Sequence, residues 1–374
     1  MTRLNALLGY LFSNGITTFC EKYGIPLASI DLVGTHTSGL RRPDMPETND
    51  LNTHPLGWNA NISTEIGVNT VFDFAVIEAC SLRPQVSPVA YVDQLFLRHP
   101  SKLRACLNIG ELANCSFIPP WSQGDARGTN CRDCGPGSVF IDYAMKYCTS
   151  NDRNNDNDGR YAAPGKPNQA IVTRFLQTYD YSRVLPSLSV AREMFGEHEA
   201  QRVVDECIFM KLSEADTIAT VTRITAENIL KQYRRLLALR IPASQHVDEL
   251  FISGPSARNA NIIDYLEAEL PESVITKPFD DIGIPGDANE AVCYAHLALE
   301  SVLGQPTRSS AELSRPWSQS GHDAILGRVA QGESWETLTA RLQKFGDGKP
   351  RNLAHNVEII GSMEPVIKDL GAKR

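Results

Sequence analysis

Two short apolar runs, Leu103 to Asn108 and Ala113 to Ile118, flank Ile109-Gly110-Glu111-Leu112 and close on Pro119-Pro120, a pattern that predicts a β-hairpin. An isolated hairpin is marginal in water, so this one must belong to a larger sheet. Small residues at such a tip let backbone N–H groups approach a phosphate, and glycine serves there because it adds no side chain. Glu111 stands at a position where that geometry favours glycine, and a second glycine-bearing run, Asp133-Cys134-Gly135-Pro136-Gly137-Ser138, follows.

Around the hairpin, apolar strand-like runs alternate with amphipathic stretches, which predicts α/β architecture. Helices are expected over Leu4 to Tyr23, Val89 to Leu97, Val139 to Cys148, Asn261 to Leu270 and Glu290 to Leu303. The longest spans Ala215 to Leu239, with Ile218, Val221, Ile224, Ile229, Leu230 and Leu236 at helical spacing. Strands are expected at Ser29 to Gly34, Gly67 to Phe74 and Glu249 to Ser253, the last ending in a turn at Gly254. Polar stretches at Trp121 to Asn130 and Ser150 to Asp158 read as loops. Beyond Gly304 the chain is polar, with one amphipathic helix near Ser334 to Lys344. We expect a first lobe over 1–102, a second over 103–303, and a C-terminal extension over 304–374 that packs back on the first.

At 374 residues, 42% hydrophobic and 21% charged, the chain can bury two cores. Its formal charge of −8, with Lys and Arg scattered, argues against a nucleic-acid or anionic-membrane surface. No apolar run approaches the roughly 20 residues of a membrane span, and the opening segment lacks a signal-peptide core. A cytoplasmic protein with reduced thiols is expected. Nine irregularly spaced cysteines do not make a disulfide framework, and Cys131-Arg132-Asp133-Cys134 has no second pair at zinc-ligand spacing.

The segment Arg98 to Pro120 resembles the text around the asparagine-glycine hairpin of the anhydro-sugar kinases, meaning anhydro-N-acetylmuramic acid kinase and above all the fungal levoglucosan kinases. The resemblance continues through Ala215 to Arg235, Gly254 to Asn259, Gly286 to Ala291 and Ile325 to Val329. It implies a two-lobed actin-like ATPase fold (the sugar kinase, Hsp70 and actin class), with Mg-ATP and sugar in the cleft between lobes and room for a homodimer. In that family a carboxylate takes a proton from water, the water opens the 1,6-anhydro bridge, and the freed 6-oxygen receives the γ-phosphoryl group of ATP.

Carried over residue by residue, the resemblance implies Glu78 as catalytic base, four residues after Asp73-Phe74, where the family has aspartate. One extra methylene displaces the carboxylate by about 1 Å, a misplacement that can cost on the order of a hundredfold. It implies His36, Arg83, Arg192 and Glu193 as sugar-binding, with Leu188 where the family has lysine and Leu82-Arg83-Pro84-Gln85-Val86-Ser87 where it has a glycine-rich loop. On the nucleotide side it implies Asn108, Gly110, Asp133, Gly135, Gly137, Gly254, Ala257 and Asn259, with Glu290 near the metal. Pro255-Ser256 replaces part of a Gly-Gly-Gly-Ala turn. The charge of Glu111 would oppose a triphosphate by about 4 kcal/mol per charge pair at roughly 4 Å and an effective dielectric near 20.

The resemblance also places a strand and a Gly-Thr-Ser-x-Asp-Gly-x-Asp phosphate loop ahead of the position matching Asn5, so the first lobe is expected to be incomplete. No G-x-x-x-x-G-K-[ST] loop stands in its place. We therefore expect a motif-degenerate family member with impaired or absent phosphotransfer. The alternatives are an active kinase on another sugar or alcohol, encoded with further upstream exons, and a non-enzymatic binding scaffold.

Overall fold

The computed structural model describes residues 2–36, 38–41, 53–74, 89–120, 130–180, 195–304 and 325–345. In chain order its principal elements are α1 (Thr2–Tyr23), β1 (Leu32–Gly34), β2 (Ser38–Arg41), β3 (Thr53–Leu56), α2 (Asn61–Ile66), β4 (Asn69–Phe72) and α3 (Val89–Leu97). There follow β5 (Arg104–Ile109), β6 (Leu112–Ile118), β7 (Asn130–Pro136), α4 (Val139–Cys148), α5 (Gln169–Thr178), α6 (Glu197–Phe209) and α7 (Glu214–Arg240). The remainder are β8 (Glu249–Ser253), α8 (Ala260–Glu269), β9 (Ile275–Pro278), α9 (Asn289–Val302), β10 (Arg328–Ala330) and α10 (Trp335–Phe345). The architecture is α/β, as the alternating pattern predicts.

The described residues of Met1–Pro88 and Ala291–His355 form one compact unit, and those of Val89–Glu290 a second. In the first unit β4 lies between β1, which it pairs in parallel, and β10, which it pairs antiparallel. β4 is the central strand, and Asn69, Thr70 and Val71 on it are fully buried. Asn69 bonds in three directions: its amide donates to Asp31 O and Ser334 Oγ, and its Oδ1 accepts from Gly332 N. A polar side chain thus ties the C-terminal segment to the strand, because a buried amide left unpaired would be costly. β2 and β3 pair separately as an antiparallel ladder.

The second unit is built on a five-stranded sheet of order β7-β6-β5-β8-β9, antiparallel from β7 to β5 and parallel from β5 to β9. Asn130–Pro136, whose first residue the polar pattern assigns to a loop, is its outer strand and pairs antiparallel with β6. α7 packs against α4, α5, α6, α8 and β7, burying every one of the six apolar positions predicted for it. Ser213 caps α7 by accepting from Asp216 N at 3.1 Å, while Glu214 and Asp216 carry negative charge in its first turn. α5 and α6 were not anticipated, although Asn168 caps the first and the Glu199 carboxylate accepts from Gly196 N at the start of the second. Their apolar faces complete the core with Ile171, Val172, Phe175, Val203, Val204 and Cys207.

Seven cysteines among the described residues are free thiols, and Cys134 is fully buried, so no disulfide forms among them.

Candidate functional site

The parallel strands β5 and β8 end side by side, Asn108 pairing with Ser253. The carboxyl ends of parallel strands are where α/β sheets bind ligands, and four turns meet at this end. The β5–β6 turn carries Gly110 and Glu111, and Gly137 and Ser138 join β7 to α4. Gly254 leaves β8, and Gly286 precedes α9. Glu111 O accepts from Gly137 N at 3.0 Å and Val139 N at 3.2 Å, and Gly110 O accepts from Ser138 N at 2.7 Å. Ile109 O accepts from Ser256 N at 3.1 Å, and Gly286 O from Gly254 N at 2.9 Å.

These contacts explain two glycines without any ligand. A Cβ on Gly137 would lie 2.1 Å from Gly110 O. Gly254 has φ +94°, and its Cβ would lie 2.5 Å from Asn108 Oδ1 and 2.7 Å from Ile109 O. Gly135 has φ +91° beside a bulge in which Ala113 pairs Gly135 and Asn114 pairs Asp133, leaving Cys134 as the extra residue. Asn228 Nδ2 donates to the bulged Cys134 carbonyl. The amides of Gly137 and Gly254, residues that the resemblance places on the nucleotide side, are bonded to carbonyls of neighbouring turns. Gly110 differs: nothing lies nearer than 3.4 Å to a Cβ built there.

Asn259 is buried and caps α8 through Asn261 N at 3.1 Å. Ala257 is half-buried two residues before it, and Asp133 is half-buried on β7. Glu111 is exposed at the hairpin tip. Burial holds the Asp142 carboxyl above the usual carboxylate range; the Ser138 hydroxyl and Lys146 oppose that shift, and the Glu111 charge adds to it. Glu290 is exposed in the first turn of α9. Among the described residues no three His, Cys, Asp or Glu side chains form a metal cage. A magnesium ion carried by nucleotide phosphates needs only one or two protein carboxylates.

In the first unit His36 is exposed just beyond β1. Beyond β4, the strand beside it, Asp73 adopts φ +59°, a strained conformation for a residue with a side chain, and lies 3.7 Å from Arg328. Glu78, Arg83, Arg192 and Glu193 lie outside the described residues, as do Leu82 and Leu188.

Sequence reasoning missed a buried polar cluster beneath the turns of the second unit. Asp93 is fully buried on α3, where it accepts from Ser116 Oγ at 2.9 Å and from Asn289 Nδ2 at 3.2 Å. Asn289 Nδ2 also reaches Ser253 Oγ at 3.4 Å. Burial pushes Asp93 up to about 6, against the pull of those hydrogen bonds. The available signal was a single carboxylate inside the apolar run Val89–Leu97. Tyr294, which bonds His36, was missed as well.

Residues 1–313 match the family described as anhydro-N-acetylmuramic acid kinase. An anhydro-N-acetylmuramic acid kinase from Caldanaerobacter subterraneus subsp. tengcongensis is 29% identical over 336 residues, covering 87% of this chain and 80% of the relative. That of Salinibacter ruber is 31% identical over 314 residues, covering 82% and 76%. Among solved structures, a ROK family glucokinase from Streptomyces griseus in complex with glucose and AMPPNP aligns with 76% of this chain and 87% of its own, at 11% identity and a TM-score of 0.33. A likeness that weak carries no argument about activity.

Proposed function

The chain belongs to the anhydro-N-acetylmuramic acid kinase family, and from that premise we propose that it binds Mg-ATP and a 1,6-anhydro sugar and transfers the γ-phosphoryl group to the sugar 6-oxygen more slowly than relatives with glycine at position 111. The observation that supports this reading is the convergence of the Asn108–Glu111, Gly137, Gly254 and Gly286 turns at the carboxyl ends of β5 and β8. Rigid turns at the carboxyl ends of parallel strands suit a nucleotide, and Gly110, where a Cβ would meet nothing nearer than 3.4 Å, is the turn residue whose smallness the protein's own packing does not require.

In the proposed step, water attacks the anomeric carbon and its bond to the bridging oxygen breaks. That oxygen attacks the γ-phosphorus, the bond to the β-bridging oxygen breaks, and ADP leaves. A carboxylate takes the water proton. Glu78 is the candidate that the resemblance implies, and half-buried Asp133, on the strand leading into the Gly135–Gly137 motif, is the candidate within the described residues. Asp133→Asn and Glu78→Gln separate them, because the true base loses far more kcat than sugar affinity. Magnesium, when bound with ATP, neutralises phosphate charge, and Glu290 is the residue that would hold it. The sugar falls in the class of levoglucosan and 1,6-anhydro-N-acetylmuramic acid, and His36, Arg83, Arg192 and Glu193 are proposed to bind it. A cytoplasmic site of action fits these substrates, and among the described residues no helix is long and apolar enough to cross a membrane.

Thermal denaturation with and without Mg-ATP tests the reading. A ligand that binds only the native state raises the melting temperature, so a rise at millimolar nucleotide is expected. Absence of any rise, together with absence of sugar-dependent ADP release, would leave the binding-scaffold alternative.

A further inference from the structure

The helix α1 buries one side and leaves an apolar stripe on the other. Gly9, Ser13 and Cys20 are buried and mark its inner side. On the outer side Leu4, Leu7, Leu11, Gly15, Phe19 and Tyr23 follow one another at steps of three and four residues, which places them along one face of a helix. Phe12 adjoins them, and the rings of Phe19 and Tyr23 lie 4.7 Å apart. Apart from Gly15, these side chains are 39–64% exposed. Together they hold roughly 600 Å² of apolar surface in water, at the top of the range for one patch on a monomer. A stable interface takes about 800 Å² from each partner, so this stripe with its polar margins is of the size that an interface needs.

The two glycines of α1 differ in the same sense. Gly9 is required by its own unit, since a Cβ there would lie 2.5 Å from Trp58 O. Gly15 lies in the outer stripe, and nothing comes within 4 Å of a Cβ built on it. Glycine weakens a helix interior, and here the unit's own packing does not call for it. Its bare backbone admits close approach of another helix from outside.

The margin of the stripe says which helix. Arg3 and Glu21 are both exposed, and they are eighteen residues apart, five full turns, so they stand on the same flank. Phe12 is midway between them. A two-fold axis through Phe12 runs a second α1 antiparallel to the first, lays the apolar stripe on its own image, and sets Arg3 of each copy beside Glu21 of the other. Such self-complementarity is what an isologous contact requires.

We propose that the outer face of α1 is a dimer interface, on which α1 of a second copy of this chain packs antiparallel about a two-fold axis near Phe12. The surface belongs to the first unit and does not depend on the function assigned to the chain.

Analytical ultracentrifugation of the full chain at low salt tests it, with far-UV circular dichroism of each variant to confirm the fold. The wild-type chain should form a dimer with micromolar or tighter affinity, and its melting temperature should rise with protein concentration. Leu11→Glu and Gly15→Leu should each weaken the dimer at least about thirtyfold, the size of a hot-spot loss. Gly15→Leu has open space in the single chain, so its helix content should be kept or raised. Arg3→Glu and Glu21→Arg should each weaken association about tenfold through two symmetric contacts, and the double variant should restore it. A chain that stays monomeric at about 100 μM overturns the proposal, and so does a monomer that instead sediments with anionic lipid vesicles through α1. A dimer that Leu11→Glu and Gly15→Leu leave unchanged uses another surface and overturns it as well. Failure of the double charge variant to restore the dimer overturns the antiparallel arrangement.

Discussion

The main-chain carbonyl of Glu111 accepts the amide hydrogen of Gly137 at 3.0 Å, so the residue at the hairpin tip is anchored through its backbone while its side chain is exposed. Glycine at that position would keep the anchoring bonds and remove only the carboxylate.

Glu111→Gly is therefore expected to leave the melting temperature nearly unchanged and to tighten Mg-ATP binding by about fivefold at low salt. The gain should shrink at high ionic strength, where the screening length falls to roughly 3 Å at 1 M. Calorimetry at two salt concentrations measures both. The same substitution should lower the Asp142 pKa, since the Glu111 charge is one of the causes that raise it.

The glycines should separate into two kinds. Gly137→Ala forces a Cβ against a backbone carbonyl, and overpacking of this sort costs about 1–3 kcal/mol. Gly254→Ala adds strain from its positive φ. Both should lower stability in urea titrations. Gly110→Ala has room, so it should keep stability and lose nucleotide affinity, which makes it the variant that reads the ligand rather than the fold.

Glu249 is buried with Lys102 Nζ, Arg104 Nε and Lys277 Nζ at 2.7, 2.7 and 2.8 Å. Burial alone would raise its pKa, but these charged donors outweigh it and hold the carboxyl at about 2. Because the folded value lies below the unfolded one, the stabilisation is present above about pH 4.5 and is lost as pH falls toward 2. Glu249→Gln leaves three cations facing a neutral group and should cost about 3–5 kcal/mol at pH 7, the range for breaking a buried ion pair.

Asp93 has the opposite sign. Its folded pKa of about 6 lies above the unfolded 3.8, so the native state holds the extra proton between those values and loses stability as pH rises through them. Asp93→Asn copies the protonated carboxyl. It should match wild type near pH 4 and exceed it at pH 7.5 by up to about 3 kcal/mol, one pKa unit being about 1.36 kcal/mol. Equal stability of the two proteins at pH 7.5 would contradict the assignment.

What could be read from the chain was what local pattern carries. The Leu103 to Ile118 hairpin, the long apolar helix α7 and the helices α3 and α4 announce themselves through periodicity within a few residues. The β7 bulge and the helix α5 were missed because Cys134 and Asn168 look like ordinary loop residues until their partners, the Asn228 amide and the α5 amides, are known. The polar pairs were out of reach for the same reason. His36 and Tyr294 are 258 positions apart, and Asp93 and Asn289 are 196. No spacing rule links such residues, since only the closure of the fold brings them together.

The most direct test of the account is phosphorus NMR of the protein with Mg-ATP and levoglucosan, repeated with 1,6-anhydro-N-acetylmuramic acid. The account expects a new sugar 6-phosphate signal growing in step with ADP, and no ADP formed at that rate without sugar. ATP that stays intact with both sugars, in a protein whose melting temperature Mg-ATP does not raise, would contradict it.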